Sequence, residues 1–246
     1  MARKRRPTPT RAIIVKSASD LFFEKGFSRT TSLEVCRLAD ISTGNLTFYF
    51  PTKEHILAVI VKMMIDFQWD VMEEATDDGK SSLLAYCLEL TTLTAIADES
   101  AEMRDFFIAA YTHPMTIDLI RENDLEKIRK VFGEFTHDWS VERFIEAETI
   151  ISGIEFATIM KTEHSASVEF RIAGALNAIM LLFGVPEEIR RMKITKVLAM
   201  DYRAIGRSVL DRFREYVNEL NEHAIEEVMA YRSEKPTDTK SENKPT

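Results

Sequence analysis

Residues 30–51, "TTSLEVCRLADISTGNLTFYFP", limit the possible folds of this chain more than any other stretch. The stretch opens with a capping box, because Thr31 stands three residues before Glu34 and each side chain can bond the other residue's backbone N–H. A tight connection, "ADIS", follows, and Ser42 can cap a second short helix that has to end at Pro51. Two short capped helices joined by such a turn predict a helix-turn-helix unit.

Further helical patterns flank this unit on both sides. From Thr10 onward, apolar residues recur at helical spacing, and Gly26 can supply the left-handed residue past the end of that helix. A fourth, longer helix is predicted from near Thr52 to about residues 76–79, with a continuous apolar stripe. The stripe consists of Leu57, Ile60, Val61, Met64, Phe67 and Val71. The first three helices are therefore predicted to form a three-helix bundle.

The rest of the chain also has helical periodicity, and no strand-like alternation persists. With 8 Gly and 7 Pro in 246 residues, the chain has few punctuating residues, which favours long helices over many short strands. Helices are predicted at 80–98, 101–112, 115–138, 141–163, 167–184 and 187–231, the last one broken. Pro114 and Pro186 stand where helices would begin. The predicted fold class is all-α.

The predicted domain organisation has four parts. Residues 1–9 form a flexible basic arm, and residues 10–52 form the helix-turn-helix domain. Residues 53–232 form a helical body. Residues 233–246 are predicted to be a disordered tail, because they lack large apolar side chains.

A helical-wheel projection divides the segment "TGNLTFYF" between two faces. At about 100° per residue, the inner face holds Leu46 and Phe50, with Tyr49 at its edge, and the outer face holds Gly44, Thr47 and Phe48. An exposed phenyl ring can contact a thymine methyl group in the major groove of DNA, and Thr43, Asn45 and Thr47 can bond bases or phosphates. The alternative, a short aromatic core helix, is disfavoured because half of the rings face outward.

The distribution of charge also separates the N-terminal region from the rest. Residues 1–53 carry ten basic and four acidic residues, a net +6, although the whole chain has a net charge of −8. A basic N-terminal region on an otherwise acidic chain indicates that only this region binds a polyanion, unless the uneven distribution of charge is accidental. Lys53 lies in the first turn of the fourth helix, where the helix dipole disfavours a cation, so an external phosphate would explain it.

Several other functional classes find no support in the sequence. Cys36 and Cys87 lack metal-site spacing, and the five histidines stand alone, so no metal site is predicted. No nucleophile motif, phosphate loop or dinucleotide fingerprint is present, so neither an enzyme nor a cofactor is expected. The N-terminus has no signal-peptide pattern, and the longest apolar run, residues 178–185, is too short to span a bilayer. A cytoplasmic protein without membrane attachment is expected.

Residues 10–57 closely resemble the DNA-binding domain of TetR-type one-component transcriptional repressors. The matching positions are Thr30, Thr31, Glu34, Ile41, Ser42, Gly44, Leu46, Phe50, Lys53 and Leu57. Asp40 replaces the usual turn glycine, and Asp tolerates the left-handed region better than most residues. Cys36 stands where a small alanine is usual. Thr47 replaces a tyrosine that commonly contacts phosphate in the family, and Tyr49 is close enough to take over that contact.

The resemblance implies roles for specific residues. The implied DNA-binding residues are Arg3, Lys4, Arg5, Arg6, Thr31, Thr43, Gly44, Asn45, Thr47, Phe48, Tyr49 and Lys53. The four arm residues would enter the minor groove, although a solvated basic tail is the alternative. In this family, the body forms a homodimer and holds an effector cavity. The aromatic and Met residues on the helices that line such cavities are Phe67, Trp69, Met72, Tyr86, Phe106, Phe107, Tyr111 and Phe132. Residues of these types are more often plain core.

The dimer interface is expected at 141–184, with part of 187–231. Within it, residues 171–185 are apolar nearly all round and should be covered on every side, either by a second subunit or inside one chain. The leading hypothesis is a ligand-responsive repressor that a small molecule releases from its DNA operator. The alternatives are an all-helical interaction module whose helix-turn-helix does not bind DNA, and a small-molecule enzyme. The effector, the operator, and repression as opposed to activation cannot be read from the sequence.

Overall fold

A computed structural model describes residues 10–74 and 83–230, which form twelve α-helices and one 3₁₀ turn and contain no strand. The helices are α1 (Thr10–Lys25), α2 (Ser32–Leu38), α3 (Thr43–Tyr49), α4 (Lys53–Glu74), α5 (Leu83–Glu99), α6 (Ala101–Thr112), α7 (Pro114–Val131), α8 (Val141–Ile159), α9 (Val168–Leu182), α10 (Glu187–Ala199), α11 (Tyr202–Glu219) and α12 (Glu222–Ala230). The all-α prediction is confirmed. The predicted basic arm and the predicted tail lie outside the described residues.

Local signals determine the first three helices. Gly26 ends α1 in the left-handed region, with a φ of +87°. Thr31 and Glu34 form the predicted capping box at the start of α2. Asp40 adopts a φ of +52° in the turn, as its tolerance of the left-handed region predicts. The Ser42 hydroxyl then accepts the backbone N–H of Asn45 at 3.1 Å and caps α3.

The helix-turn-helix unit and the body share one apolar core. Phe22, Val35, Leu46 and Phe50 are buried in this core together with residues of α4, α6, α11 and α12. The core continues across the start of α4 without a polar gap, so the predicted boundary at residues 52 and 53 stays a prediction. The result is that α1 and α4 pack both within the unit and against the body.

The helices of the body surround α5, which packs against α4, α6 and each of α8 to α11. The predicted break in 187–231 occurs twice, after Ala199 and after Glu219. The predicted helix 115–138 is too long, because α7 ends at Val131 and a 3₁₀ turn follows at Gly133–Phe135. There the Thr136 hydroxyl donates to the carbonyl of Phe132 at 2.9 Å, which satisfies a helix-end carbonyl. None of the helices in the described ranges is both long and apolar enough to cross a membrane.

Helix α9 is covered on only one of its two apolar faces. Ile172, Leu176 and Ile179 are fully buried on the inner face. On the outer face, Phe170 is 77% exposed and Leu181 is 56% exposed. The expectation that 171–185 is covered on every side is therefore not met within one chain.

Candidate DNA interface and ligand cavity

The outer face of α3 is bare, as the helical wheel predicts. Phe48 is 80% exposed, whereas Leu46 and Phe50 are only 3% and 1% exposed. Thr43, Gly44, Asn45 and Thr47 are also exposed, and Tyr49 is half-buried at the edge. The helix is therefore held by two apolar side chains and presents its other residues to solvent.

Contacts around Tyr49 fix its ring. The Phe48 ring meets the Tyr49 ring edge-on, with centroids 5.0 Å apart. On the other side, the Arg11 guanidinium lies 5.1 Å from the Tyr49 centroid and also pairs with Glu226 at 2.9 Å. The two outward aromatic side chains of α3 thus form one supported surface instead of two loose rings.

The Thr47 hydroxyl donates within its own helix, to the carbonyls of Thr43 at 3.1 Å and Gly44 at 3.2 Å. Its oxygen can still accept a bond from outside the helix. Thr31 is exposed at the start of α2, and its hydroxyl takes part in the capping box. The four predicted arm residues, Arg3, Lys4, Arg5 and Arg6, lie outside the described residues.

Lys53 has internal partners that the sequence did not reveal. Its ammonium donates to the carbonyls of Phe27 at 3.0 Å and Thr30 at 3.1 Å. It also lies 4.1 Å from the centroid of the Phe27 ring. These contacts hold the loop between α1 and α2, so a phosphate is not needed to explain a cation at this helix start. Its contact with DNA stays a prediction.

Helix α6 of the body contacts the same loop. The carboxylate of Asp105 accepts the backbone N–H of Ser28 at 2.8 Å, and Glu102 pairs with Arg29 at 2.8 Å. A methyl group on Gly26 would meet the Asp105 carboxylate at 2.6 Å, so the loop and α6 lie against each other without a gap. These contacts join the helix-turn-helix unit to the body.

A cavity lies beneath α6, between helices α4 to α8. It contains about 610 Å³ of space free of atoms, its opening to solvent included. Four of the candidate residues line it, namely Tyr86, Phe106, Phe107 and Tyr111.

Two other candidate residues, Phe67 and Phe132, do not line this cavity, and their role in ligand binding stays a prediction. Phe67 stacks on Tyr216 and contacts Phe213, both with centroids 5.5 Å apart, on the side of α4 that faces α11. Phe132 stacks on Phe183 at 3.9 Å in the core. The side chains of Trp69 and Met72 lie outside the described residues.

The sequence interpretation missed the polar residues of the cavity. The Lys127 ammonium contacts Glu89 at 2.9 Å and Asp124 at 2.9 Å. The carboxylate of Glu155 accepts the hydroxyl of Tyr111 at 2.9 Å and that of Tyr86 at 3.4 Å. One sequence signal was available, since Glu155 is a single charge within the apolar run "IISGIEFATIM".

Burial shifts the protonation of this wall. Burial, together with the charge of Asp124, raises the pKa of Glu155 to about 8. Burial also raises the pKa values of Tyr86 and Tyr111, so both hydroxyls stay protonated as donors. Although burial disfavours its charge, the carboxylates of Asp124 and Glu89 raise the pKa of Lys127 above its ordinary value.

Comparison with known proteins identifies the N-terminal region. The family model "Bacterial regulatory proteins, tetR family" matches residues 14–60, which run from α1 into α4. The HTH-type transcriptional regulator HbdR of Aromatoleum sp. (strain CIB) is 40% identical over 98 residues, covering 40% of this chain and 42% of that protein. The uncharacterized HTH-type transcriptional regulator YuxN of Bacillus subtilis (strain 168) is 31% identical over 81 residues, covering 33% of this chain and 28% of that protein.

The chain spans less than half the length of these curated relatives. Among solved structures, Salmonella enterica GusR aligns with a TM-score of 0.47 at 19% identity, covering 75% of this chain and 98% of that chain. The family match and the helix-turn-helix geometry coincide in α1 to α4. Residues 14–60 are therefore similar to the TetR family of bacterial regulatory proteins.

Proposed function

We propose that the protein is a cytoplasmic, homodimeric transcriptional regulator that binds a DNA operator and is released from it by a small molecule. The observation that carries this proposal is the bare outer face of α3, where Phe48 is 80% exposed beside Gly44 and Thr47. On this face, the exposed Phe48 ring lies against the half-buried Tyr49 ring, and an exposed apolar surface of this kind can mark an interaction site. The major groove of DNA presents base edges and thymine methyl groups that an aromatic ring on a helix can contact.

A second copy of the chain is the partner that the outer faces of α8 and α9 fit. Val141, Ile145 and Ile150 are exposed on α8, and Phe170 and Leu181 are exposed on α9. The two helices pack against each other. Two copies related by a two-fold axis would bury these surfaces in a four-helix arrangement. The same symmetry would place two α3 helices on successive turns of the major groove.

The exposed glycines support the same interface. Gly153 on α8 and Gly174 on α9 are solvent-exposed, and an added methyl group at either would meet nothing within 4 Å in the single chain. Small residues on an exposed apolar helix face allow another helix to approach closely. The interface is therefore proposed at 141–184, centred on α8 and α9.

Helix α6 provides a physical connection between the cavity and the DNA-binding unit. Phe106 and Tyr111 line the cavity, while Asp105 and Glu102 bond the loop between α1 and α2. A ligand that favours another position of α6 would shift the spacing of the two α3 helices. The DNA affinity would then fall. The fall can be no larger than the ratio of the ligand's affinities for the DNA-binding and the released state.

Fluorescence anisotropy with the DNA upstream of the protein's own gene tests the proposal. The affinity should fall steeply between two salt concentrations, because bound phosphates release counterions. No binding at either concentration, or binding insensitive to salt, would contradict the proposal. That result would favour an interaction module, for which the exposed faces of α8 and α9 would provide the docking surface.

Two substitutions test whether Phe48 determines the base-sequence preference of DNA binding. Phe48→Ala should change the preference at one base step, because the ring is available only to the groove. Met192→Ala on α10 is a matched control, since Met192 is also exposed, at 56%, but lies far along the chain from α3. It should leave DNA binding unchanged. Equal effects of both substitutions would refute the role of Phe48.

A third substitution tests Lys53. If Lys53 only holds the α1–α2 loop, Lys53→Met should lower stability and leave the salt dependence of DNA binding unchanged. If it also contacts phosphate, the slope of log affinity against log salt should decrease by about one.

A further inference from the structure

The cavity wall has more carboxylates than cations. Glu89, Asp124 and Glu155 line it together with one basic residue, Lys127. Lys127 lies between Glu89 and Asp124, at 2.9 Å from each. With all four groups ionised, the wall therefore carries a net charge of −2 in a place that is largely removed from water.

Glu155 is the carboxylate without an ion pair. Its only close side-chain partners among the described residues are the hydroxyls of Tyr111 and Tyr86, both of which are neutral donors. The residue is 7% exposed. A buried carboxylate in such surroundings is unfavourable unless a cation joins it or a proton neutralises it.

We propose that the effector is an organic monocation, an amine or quaternary ammonium with an apolar body, whose charged group binds at Glu155. This inference rests on the proposed function only in calling the ligand an effector. Its chemical class follows from the cavity itself. A monocation would supply the charge that Lys127 cannot, since Lys127 is already shared by two carboxylates.

The remaining wall suits the apolar part of such a ligand. Phe106 and Phe107 meet edge-on with centroids 5.6 Å apart, and both line the cavity. Leu90, Leu93 and Ile120 are among the aliphatic residues of the lining. Aromatic faces attract a desolvated cation, and aliphatic side chains favour a hydrophobic body. An anionic ligand would instead meet the surplus carboxylates.

Binding should be linked to the release of a proton. Because the pKa of Glu155 is about 8, its carboxyl is mostly protonated near neutrality. A cation binds the ionised form better, so its affinity should increase as the pH rises through that value.

The charged and titratable groups that face Glu155 come from three helices. They are Tyr86 and Glu89 on α5, Tyr111 on α6, and Asp124 and Lys127 on α7. From α9, Arg171 pairs with Asp98 at 2.6 Å and bonds the carbonyl of Thr158, so it is engaged elsewhere. Among these groups, Lys127 therefore favours the ionised form of Glu155, whereas the charges of Asp124 and Glu89 disfavour it.

Three probes of matched shape test the inference by isothermal titration calorimetry without DNA. They are 2-(1-naphthyl)ethylammonium, the neutral 2-(1-naphthyl)ethanol and the anionic 1-naphthylacetate. We expect the ammonium to bind at least tenfold more tightly than the alcohol at about pH 8.5, and the anion to bind most weakly. Between about pH 8.5 and pH 6.5, the ammonium affinity should fall about 25-fold, which is the change in the ionised fraction of a group with a pKa of about 8.

Substitutions assign the effect to one carboxyl group. Glu155→Gln should abolish both the preference for the ammonium and its pH dependence, while the alcohol affinity changes less than threefold. Glu148→Gln is the matched control, because Glu148 is a glutamate buried on the same helix that does not line the cavity. It should leave the preference unchanged. An alcohol or anion that binds as tightly as the ammonium, or a preference that survives Glu155→Gln, overturns the inference.

These results are separable from the proposed function. DNA binding that responds to the alcohol or the anion but not to the ammonium would refute the inference and leave the regulator intact. A tenfold ammonium preference in a protein that binds no DNA would support the ligand class and refute the regulator.

Discussion

Replacing Lys127 with Met tests whether the charged wall of the cavity stabilises the body. The Lys127 ammonium lies 2.9 Å from both Glu89 and Asp124, and its side chain is only 8% exposed. Met keeps most of the length and apolar volume of the lysine stem, so packing should change little. The variant therefore leaves two carboxylates in a buried setting without the cation between them.

The expected loss is large for a single substitution. Removing one partner of a buried ion pair costs about 3–5 kcal/mol, because the remaining charge is uncompensated. For a chain of this size, each kcal/mol lowers Tm by about 2–4 °C, so Tm should fall by roughly 6–20 °C.

The loss should also depend on pH. Burial already raises the pKa of Glu89 with Lys127 present, and removing Lys127 raises it further. A carboxyl whose folded pKa is raised destabilises the fold once the pH exceeds its unfolded pKa. The loss should therefore be larger at about pH 8 than at about pH 5.

Circular dichroism during heating measures the effect, at one protein concentration because the proposed dimerisation would make Tm depend on concentration. Lys130→Met is the matched control on α7, since the Lys130 pair with Glu126 is exposed and should contribute less than about 1 kcal/mol. A triple variant that adds Glu89→Gln and Asp124→Asn should recover most of the loss. If it is no more stable than Lys127→Met at about pH 8, the loss comes from packing and the electrostatic reasoning is wrong.

Gly26→Ala should lower the free energy of unfolding by about 1–3 kcal/mol in chemical denaturation, because a residue with a side chain is strained at a positive φ. Gly133→Ala is the control and should have little effect, because nothing lies within 4 Å of its added methyl group. Phe170→Glu should convert the proposed dimer to a folded monomer in sedimentation velocity, because the charge would lie in the proposed interface. A dimer that persists in the variant would place the interface elsewhere. In NMR titration, the Glu34 carboxyl should titrate at about 2, because hydrogen bonds from the Lys25 ammonium and from Thr31 lower its pKa. Its contribution to stability should thus be present above its ordinary pKa and lost as the pH falls through about 2; an ordinary midpoint would contradict the capping geometry.

Features determined by neighbouring residues could be predicted from the sequence. The capping box at Thr31, the left-handed turn at Asp40 and the cap at Ser42 each depend on residues within a few positions. The exposure of Phe48 follows from helical periodicity alone. These signals are local, so the sequence contains all of the information that they need.

Features determined by distant partners could not be predicted in this way. The carbonyls that bind Lys53 lie 23 and 26 residues earlier in the chain. Tyr111 and Glu155 are 44 residues apart. Aromatic composition also does not tell which side of a helix faces a cavity, and neither Phe67 nor Phe132 lines the cavity beneath α6.

The shared apolar core has a consequence for how a regulator of the proposed kind could evolve. Phe23 of α1 packs edge-on against Phe106 of α6 at 5.2 Å and lies 6.1 Å from Phe213 of α11. A DNA-reading unit with a closed core of its own could be exchanged between proteins as a cassette. Here, exchanging α1 to α3 would replace one side of a continuous core and leave mismatched surfaces on α6 and α11. Substitutions that alter operator specificity should therefore accumulate on the exposed face of α3. Substitutions on the Phe23 side of the unit should occur only together with compensating substitutions in the body.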